Sequence, residues 1–150
     1  MVLLIPESRG SSWDLLRGGF GPDVAFLDRA LEYTFARCWI NPDSVALGGF
    51  SDGASYALSL GLSNGDLFTH LVAYSPGFVD SRGPIVGKPR IYVSHGTQDS
   101  VLPVRFSRDH VVPMLINEGY DVTYVEFDGG HEVPSAITDS ALDWFLGVTI

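Results

Sequence analysis

Apolar residues along this chain gather in short runs that alternate with longer stretches of helical spacing. A short apolar run bounded by turn residues is typical of a strand that is covered on both faces of a parallel sheet. Five such runs predict strands over residues 2–5, 44–49, 70–74, 90–94 and 122–127. We expect the first run, which Pro6 closes, to open the sheet.

The stretches between these runs carry apolar side chains three or four residues apart, as in helices that cover a sheet. The first predicted helix begins at Pro22 and ends near Trp39. Further helices are predicted over residues 52–62, 104–118 and 134–146. This alternation predicts an α/β fold, a three-layer α/β/α sandwich around a mainly parallel sheet of about five strands. Ligand sites in such folds lie at the carboxyl ends of the strands.

Length, charge and cysteine content limit the classes of function. The 150 residues fit one domain, residues 1–150, and 45% hydrophobic residues suffice for a packed core. The formal charge of −9 repels phosphate backbones and anionic lipids, so we expect neither nucleic acid nor a membrane as a partner. Cys38 is the only cysteine, which excludes a disulfide within the chain. The first residues lack the basic region and cleavage site of a secretion signal, which favours a cytoplasmic location.

Residues 49–53 read Gly-Phe-Ser-Asp-Gly between a predicted strand and a predicted helix. In this context a G-x-S-x-G sequence forms a nucleophile elbow, a sharp turn that exposes the serine hydroxyl. Glycines suit both flanks because larger side chains would collide with the neighbouring strand and helix. Ser51 is therefore the candidate nucleophile. The backbone N–H of Asp52, at the start of the helix, is a candidate donor to an oxyanion.

The loops after two later strands supply an acid and a histidine in the chain order expected of this motif. Asp99 follows strand 90–94, and His131 follows strand 122–127. A serine hydroxyl becomes a good nucleophile when an imidazole accepts its proton, and a carboxylate holds that imidazole in the required tautomer. The sequence therefore predicts a catalytic triad of Ser51, Asp99 and His131.

Three other residues compete for these roles. His95 lies at the end of an earlier strand and is expected to hydrogen-bond within its own turn. Asp52 adjoins the nucleophile and Asp128 shares a loop with His131, whereas a triad acid normally arrives from another strand, so both rank behind Asp99. The four histidines and the cysteine lack the spacing of a structural metal site, and we expect no metal.

Several motifs resemble those of serine esterases of the α/β-hydrolase superfamily, in the polyhydroxyalkanoate-depolymerase-like branch and the phospholipase/carboxylesterase group. They lie at residues 6–10, 13–14, 21–26, 49–53, 94–99, 101–103 and 130–134. The resemblance thus runs nearly from end to end of the chain. It implies a minimal α/β-hydrolase that cleaves small carboxylic esters through an acyl-serine intermediate, without a cofactor.

One strand of this family has no counterpart in the sequence. Members normally carry, upstream of the equivalent of residues 2–6, a strand whose His-Gly-rich loop supplies the second oxyanion amide. Loss of this strand would leave a gap in the sheet. The gap would close if strand 2–5 paired with residues 45–48, or a partner subunit would cover the exposed edge of the sheet. In the third alternative the chain is a weakly active remnant. We expect a shifted strand together with homo-oligomerisation. The replacement amide would then come from Gly10, Ser11 or Ser12.

The acyl pocket is expected to be shallow, because the segment of residues 77–89 is too short for a large lid. Short acyl chains are therefore favoured. Candidate pocket walls are Trp13, Phe50 and Leu102.

Two other interpretations of the function stay open. In the first, the same triad cleaves a thioester or a peptide. In the second, the oxyanion hole is incomplete and the chain is an inactive, oligomeric binding module.

Overall fold

The chain divides into two units after Pro42. The computed structural model describes residues 1–80 and 83–148. The first unit contains a short 3-10 helix, Asp14–Arg17, and helix α1, Pro22–Phe35. The second unit contains a parallel sheet with helices on both of its faces.

Two buried carboxylates organise the first unit. Asp14 Oδ2 accepts the backbone N–H of Asp23, and Asp23 Oδ2 accepts that of Asp14, both at 2.8 Å. Asp14 Oδ2 also accepts the N–H of Gly21 at 2.8 Å. These bonds join the 3-10 helix to α1 and supply acceptors for N–H groups at the start of α1, which have no partner within a helix.

The strand predicted at residues 2–5 is wrong. That segment has no regular secondary structure, and its apolar side chains are exposed, Leu3 by 74% and Ile5 by 77%. An apolar run becomes a strand only where a neighbouring strand supplies hydrogen bonds, which the pattern alone does not reveal. Helix α1 also ends earlier than predicted, at Phe35, where the N–H of Arg37 donates to the carbonyl of Thr34, only three residues earlier.

The second unit is an α/β sandwich, as the alternation of strands and helices predicts. Its sheet has four strands in the order β1-β2-β3-β4, all parallel, so the count is one lower than the predicted five. The strands are β1 (Ala46–Phe50), β2 (His70–Tyr74), β3 (Arg90–Gly96) and β4 (Val122–Phe127). All four carboxyl ends therefore meet at one edge of the sheet.

Helices cover both faces of this sheet and make three layers. Helix α2, Asp52–Leu62, packs on one face, where Gly61 allows close approach because a Cβ there would lie 2.2 Å from a methyl carbon of Leu71. Helix α4, Ser135–Leu146, covers the opposite face and packs against Tyr92 through Ile137 and Ala141. The predicted α/β/α sandwich is thereby confirmed for this unit.

The helix predicted over residues 104–118 has two parts. A π-helix, Phe106–Val111, leads into α3, Val112–Asn117. Pro113 explains the wider turn, because proline has no N–H to donate and its ring would clash with the carbonyl of Asp109 in a regular α-helix. The π-helix lies on the same face of the sheet as α2.

Candidate active site

Ser51 occupies the sharp turn between β1 and α2. Its backbone has φ 59° and ψ −122°, a conformation that residues other than glycine rarely adopt. The Ser51 N–H donates to the carbonyl of Tyr74 at 2.9 Å, which fixes the turn to the end of β2. A Cβ at Gly49 would lie 2.3 Å from the carbonyl oxygen of Gly53, so the turn closes only with glycine at this position. The strained turn is thus held by its surroundings.

The structure brings Ser51, His131 and Asp99 into one chain of hydrogen bonds. His131 Nε2 lies 2.9 Å from Ser51 Oγ, and His131 Nδ1 lies 2.6 Å from Asp99 Oδ2. The three side chains come from separate loops, after β1, β3 and β4. A carboxylate can only accept, so Nδ1 carries the hydrogen and Nε2 is free to accept the hydroxyl proton. This arrangement can activate a serine as a nucleophile.

Asp99 sits in a buried turn that favours its ionised form. Its side chain is fully buried, and Oδ1 accepts the backbone N–H groups of Val101 at 2.9 Å and Leu102 at 2.8 Å. Burial by itself would raise the pKa of the Asp99 carboxyl. The hydrogen bonds from His131, Leu102 and Val101 outweigh burial and hold that pKa below its ordinary value. The carboxylate is therefore charged at neutral pH.

Backbone hydrogen bonds set the distance between the acid loop and the histidine loop. Thr97 N–H donates to the carbonyl of Phe127 and Gln98 N–H to that of Gly129, both at 2.9 Å. A Cβ at Gly96 would lie 2.3 Å from the carbonyl oxygen of Gly130, so glycine permits this approach. These bonds join the two loops, which keeps His131 within reach of Asp99.

His131 is largely enclosed and is covered on one side by an aromatic ring. Its side chain is 16% exposed. The ring of Phe50 lies 4.6 Å from the imidazole centroid at an interplanar angle of 35°. Phe50 is itself 38% exposed. The imidazole thus has a fixed orientation and a hydrophobic neighbour beside the Ser51 hydroxyl.

The other residues singled out in the sequence fall in several places. Asp52 begins α2 directly after Ser51, so its backbone N–H belongs to the positive end of that helix. Leu102 lies on the acid loop, close to Gly77 of the loop after β2. The remaining predicted residues belong to the first unit, where they immediately precede the 3-10 helix: Gly10, Ser11, Ser12 and Trp13. Their predicted roles stay predictions.

Sequence reasoning missed the residues that support the site. Ser55 and Ser59 of α2 accept the N–H groups of Gly77 at 3.0 Å and Asp80 at 2.8 Å, and so anchor the loop after β2. The signal was present as serines four residues apart, which share one face of a helix. His95 and Ser107 also contact each other beside the acid loop, which no local pattern indicates.

The described residues carry neither a cluster of metal ligands nor a membrane-spanning helix. Within residues 1–80 and 83–148, no group of three or more His, Cys, Asp or Glu side chains is arranged to hold a metal ion. In the same part of the chain, no helix has the length and hydropathy required to cross a membrane. The expectations that the protein needs neither metal nor cofactor stay predictions.

Solved structures of esterases resemble the chain. Esterase PE8 is 29% identical, with a TM-score of 0.72 over 83% of this chain and 60% of that chain. A thermostable esterase is 21% identical, with a TM-score of 0.71 over 91% of this chain and 41% of that chain. The Bacillus cereus carboxylesterase is 18% identical, with a TM-score of 0.64 over 85% and 62%. The last two show the fold alone, and together the three confirm a minimal α/β-hydrolase fold.

The chain spans 60% of the length of esterase PE8 and 41% of that of the thermostable esterase. No curated protein matches it in sequence. The model of the phospholipase/carboxylesterase family matches residues 24–145, which is most of the chain. This match confirms the resemblance seen in the motifs, and the chain belongs to the phospholipase/carboxylesterase family.

Proposed function

We propose that the protein is a serine esterase in which Ser51 is the nucleophile, His131 the general base and Asp99 the acid that orients it. The observation that carries this proposal is the unbroken chain of hydrogen bonds from Ser51 through His131 to Asp99, at 2.9 and 2.6 Å. Family membership supports an ester as the substrate. Nothing in folding requires these three residue types to meet, whereas acyl transfer requires all of them.

The reaction would proceed in two halves. Ser51 Oγ attacks the ester carbonyl carbon while its proton passes to His131 Nε2, and the imidazolium is stabilised by the Asp99 carboxylate. The tetrahedral intermediate collapses as His131 returns the proton to the leaving alkoxide, which departs as an alcohol and leaves an acyl-serine. A water molecule then gives its proton to His131 and attacks the acyl carbon. Collapse of the second intermediate releases the carboxylic acid and restores the Ser51 hydroxyl.

The oxyanion of each intermediate requires hydrogen-bond donors. We propose the Asp52 N–H as the first, since it opens α2 and shares the positive end of that helix. The source of the second donor stays a prediction, with Gly10, Ser11 and Ser12 as the candidates from the sequence. An esterase that lacks one of the two donors would have a kcat lower by about 10²- to 10³-fold than one with both.

We propose short-chain esters as substrates. Phe50 is partly exposed and stacks on His131, so an apolar surface lies beside the reacting hydroxyl. Leu102, which lies close to Gly77, is proposed as a further wall, and the role of Trp13 stays a prediction. The same three catalytic groups would also cleave a thioester or peptide, so relative rates on ester, thioester and amide substrates decide among these.

We further propose that the chain forms homo-oligomers through β1. This strand lies at one edge of the sheet, and Gly48 and Phe50 on it are exposed. An edge strand presents N–H and C=O groups that can pair with another chain. Sedimentation of the purified protein is expected to give a dimer or larger species, and a monomer at all concentrations would refute the proposed oligomer.

A single domain and a cytoplasmic location stay predictions.

Hydrolysis of p-nitrophenyl acetate and butyrate tests the proposed function. We expect turnover by the wild type and its loss in Ser51→Ala. Ser63→Ala is the matched control, because Ser63 lies at the far end of the same helix α2, where its hydroxyl donates to the carbonyl of Ser59 at 3.5 Å. Equal background rates from wild type and Ser51→Ala would contradict the proposal and favour an inactive binding module.

A further inference from the structure

His95 is a fully buried histidine that the proposed reaction does not use. It lies near the end of β3 with 0% exposure. Its Nε2 is 2.7 Å from the carbonyl oxygen of Leu102, and its Nδ1 is 2.7 Å from the hydroxyl of Ser107. Nε2 also approaches Asp99 Oδ2 at 3.3 Å. Both ring nitrogens are thus engaged, and one of them faces the acid loop.

These contacts define the hydrogen positions on the ring. A backbone carbonyl can only accept, so the hydrogen resides on Nε2 and is donated to Leu102. Nδ1, on the other side of the ring, forms its hydrogen bond with the Ser107 hydroxyl. The shared hydrogen on Nε2 also points toward Asp99 Oδ2, the oxygen that His131 contacts. His95 therefore contacts both the acid loop and the π-helix through its two ring nitrogens.

Leu102 links His95 to the acid. Its N–H donates to Asp99 Oδ1 at 2.8 Å, while its carbonyl accepts from His95 at 2.7 Å. Val101 N–H, one residue earlier, also donates to Asp99 Oδ1 at 2.9 Å. A shift of Leu102 would therefore displace a donor that orients the carboxylate. His95 restrains the same residue from the other side.

Ser107, the second partner of His95, is itself held in place. It is fully buried within the π-helix Phe106–Val111, and its hydroxyl lies 3.5 Å from the carbonyl of Pro76. The next residue, Arg108, forms a two-pronged ion pair with Glu126 of β4, at 2.7 and 2.5 Å. π-Helical turns are rare and recur at functional sites. This one brings a fixed hydroxyl to His95 Nδ1.

We propose that His95 is a positioning residue for the acid of the active site. With a hydrogen on Nε2, it holds the turn of residues 99–102 so that Asp99 Oδ2 faces His131. The proposal rests on the proposed function for its kinetic effect, but its structural effect on the Asp99–His131 hydrogen bond does not depend on any substrate.

Four variants test this positioning. His95→Leu removes both hydrogen bonds at similar bulk. His95→Gln keeps an N–H donor that can reach Leu102, and Ser107 then has the Pro76 carbonyl as an alternative acceptor. Ser107→Ala removes only the partner of His95 Nδ1. This variant tests the proposal if His95→Leu does not fold. His110→Gln is the matched control, an exposed histidine of the same π-helix.

Kinetics on p-nitrophenyl butyrate should separate positioning from general stability. With concentrations counted by titration of the reactive serine, we expect kcat of His95→Leu to fall about 10- to 100-fold and KM to stay within about twofold, as for a misplaced catalytic group. Ser107→Ala should lose about threefold to tenfold. His95→Gln and His110→Gln should stay within about threefold of the wild type. A folded His95→Leu with unchanged kcat per titrated site would overturn the proposal.

Proton NMR gives a readout that needs no turnover. A strong hydrogen bond from His131 Nδ1 to Asp99 shifts its proton far downfield, and loss of the signal in His131→Gln assigns it. We expect the resonance in the wild type, His95→Gln and His110→Gln, and its loss or broadening in His95→Leu. Its persistence there, or its absence from the wild type, would overturn the positioning role. A wild type with this signal but no esterase activity would refute the proposed function alone.

Discussion

Replacement of Asp99 by asparagine should disable the site through the tautomer of His131. Asp99 Oδ1 accepts two backbone N–H groups, from Val101 and Leu102, so the amide oxygen must take that position. The amide nitrogen then faces His131 Nδ1 and donates to it. That bond places the imidazole hydrogen on Nε2, where it points at Ser51 Oγ, and a protonated Nε2 cannot accept the hydroxyl proton.

The size of this effect follows from the loss of the base. A wrong tautomer in a site of this kind costs about 10⁴-fold in kcat, or roughly 5 kcal/mol of transition-state stabilisation. The assay is kcat for p-nitrophenyl butyrate at neutral pH, with circular dichroism to show that Asp99→Asn is folded. Asp128→Asn is the control, since it makes the same charge change at an exposed residue of the histidine loop. The reasoning is refuted if Asp99→Asn keeps a tenth of the activity, or if Asp128→Asn loses as much.

Two stability measurements follow from the same geometry. Gly49→Ala should lower Tm by several degrees and reduce kcat, because the new Cβ would lie 2.3 Å from the Gly53 carbonyl oxygen. Gly130→Ala, where a Cβ meets nothing within 4 Å, should leave Tm and kcat unchanged. Equal Tm values for the two variants would contradict this prediction. The pKa of the Asp99 carboxyl is held low in the folded state. At a pH above the ordinary pKa of a carboxyl, the wild type should therefore have a larger free energy of unfolding than Asp99→Asn. This difference should disappear as the pH falls toward the pKa of the folded state. Urea unfolding of both proteins between pH 7 and pH 3 checks this, and an advantage that stays constant with pH would refute it.

The central elements of the fold were predictable because their signals are local. Helix α2 and strands β2 and β4 have the bounds that the apolar pattern predicts. In α2 and β2 apolar residues such as Leu58 and Leu71 are also buried, so pattern and packing agree, whereas every residue of β4 is only partly buried. The π-helix before α3 was not foreseen, although Pro113 inside the predicted helix 104–118 is a sequence signal for an interrupted helix.

Residues 2–5 show where the sequence pattern fails. Their composition suits a buried strand, yet the side chains are exposed and the backbone is irregular. Whether an apolar run becomes a strand depends on a hydrogen-bonding neighbour, which is a property of the tertiary structure. Sequence periodicity carries no information about that neighbour.

The candidate site divides in the same way. The sequence predicts Ser51, Asp99 and His131, because the G-x-S-x-G motif and the ends of the predicted strands can be located along the chain. Their distances depend on contacts between loops, such as the bond from Gln98 N–H to the Gly129 carbonyl. The role of Ser107 beside His95 likewise arises from two elements that only the fold brings together.

Labelling with a fluorophosphonate tests most directly whether Ser51 is an activated nucleophile. The reagent forms a covalent bond with a serine whose proton is taken by a neighbouring base, and peptide mass spectrometry locates the adduct. We predict one adduct per chain, on Ser51, with no label in Ser51→Ala and much slower labelling in His131→Gln. Labelling that persists in Ser51→Ala, or a wild type that takes up no label, would contradict the account.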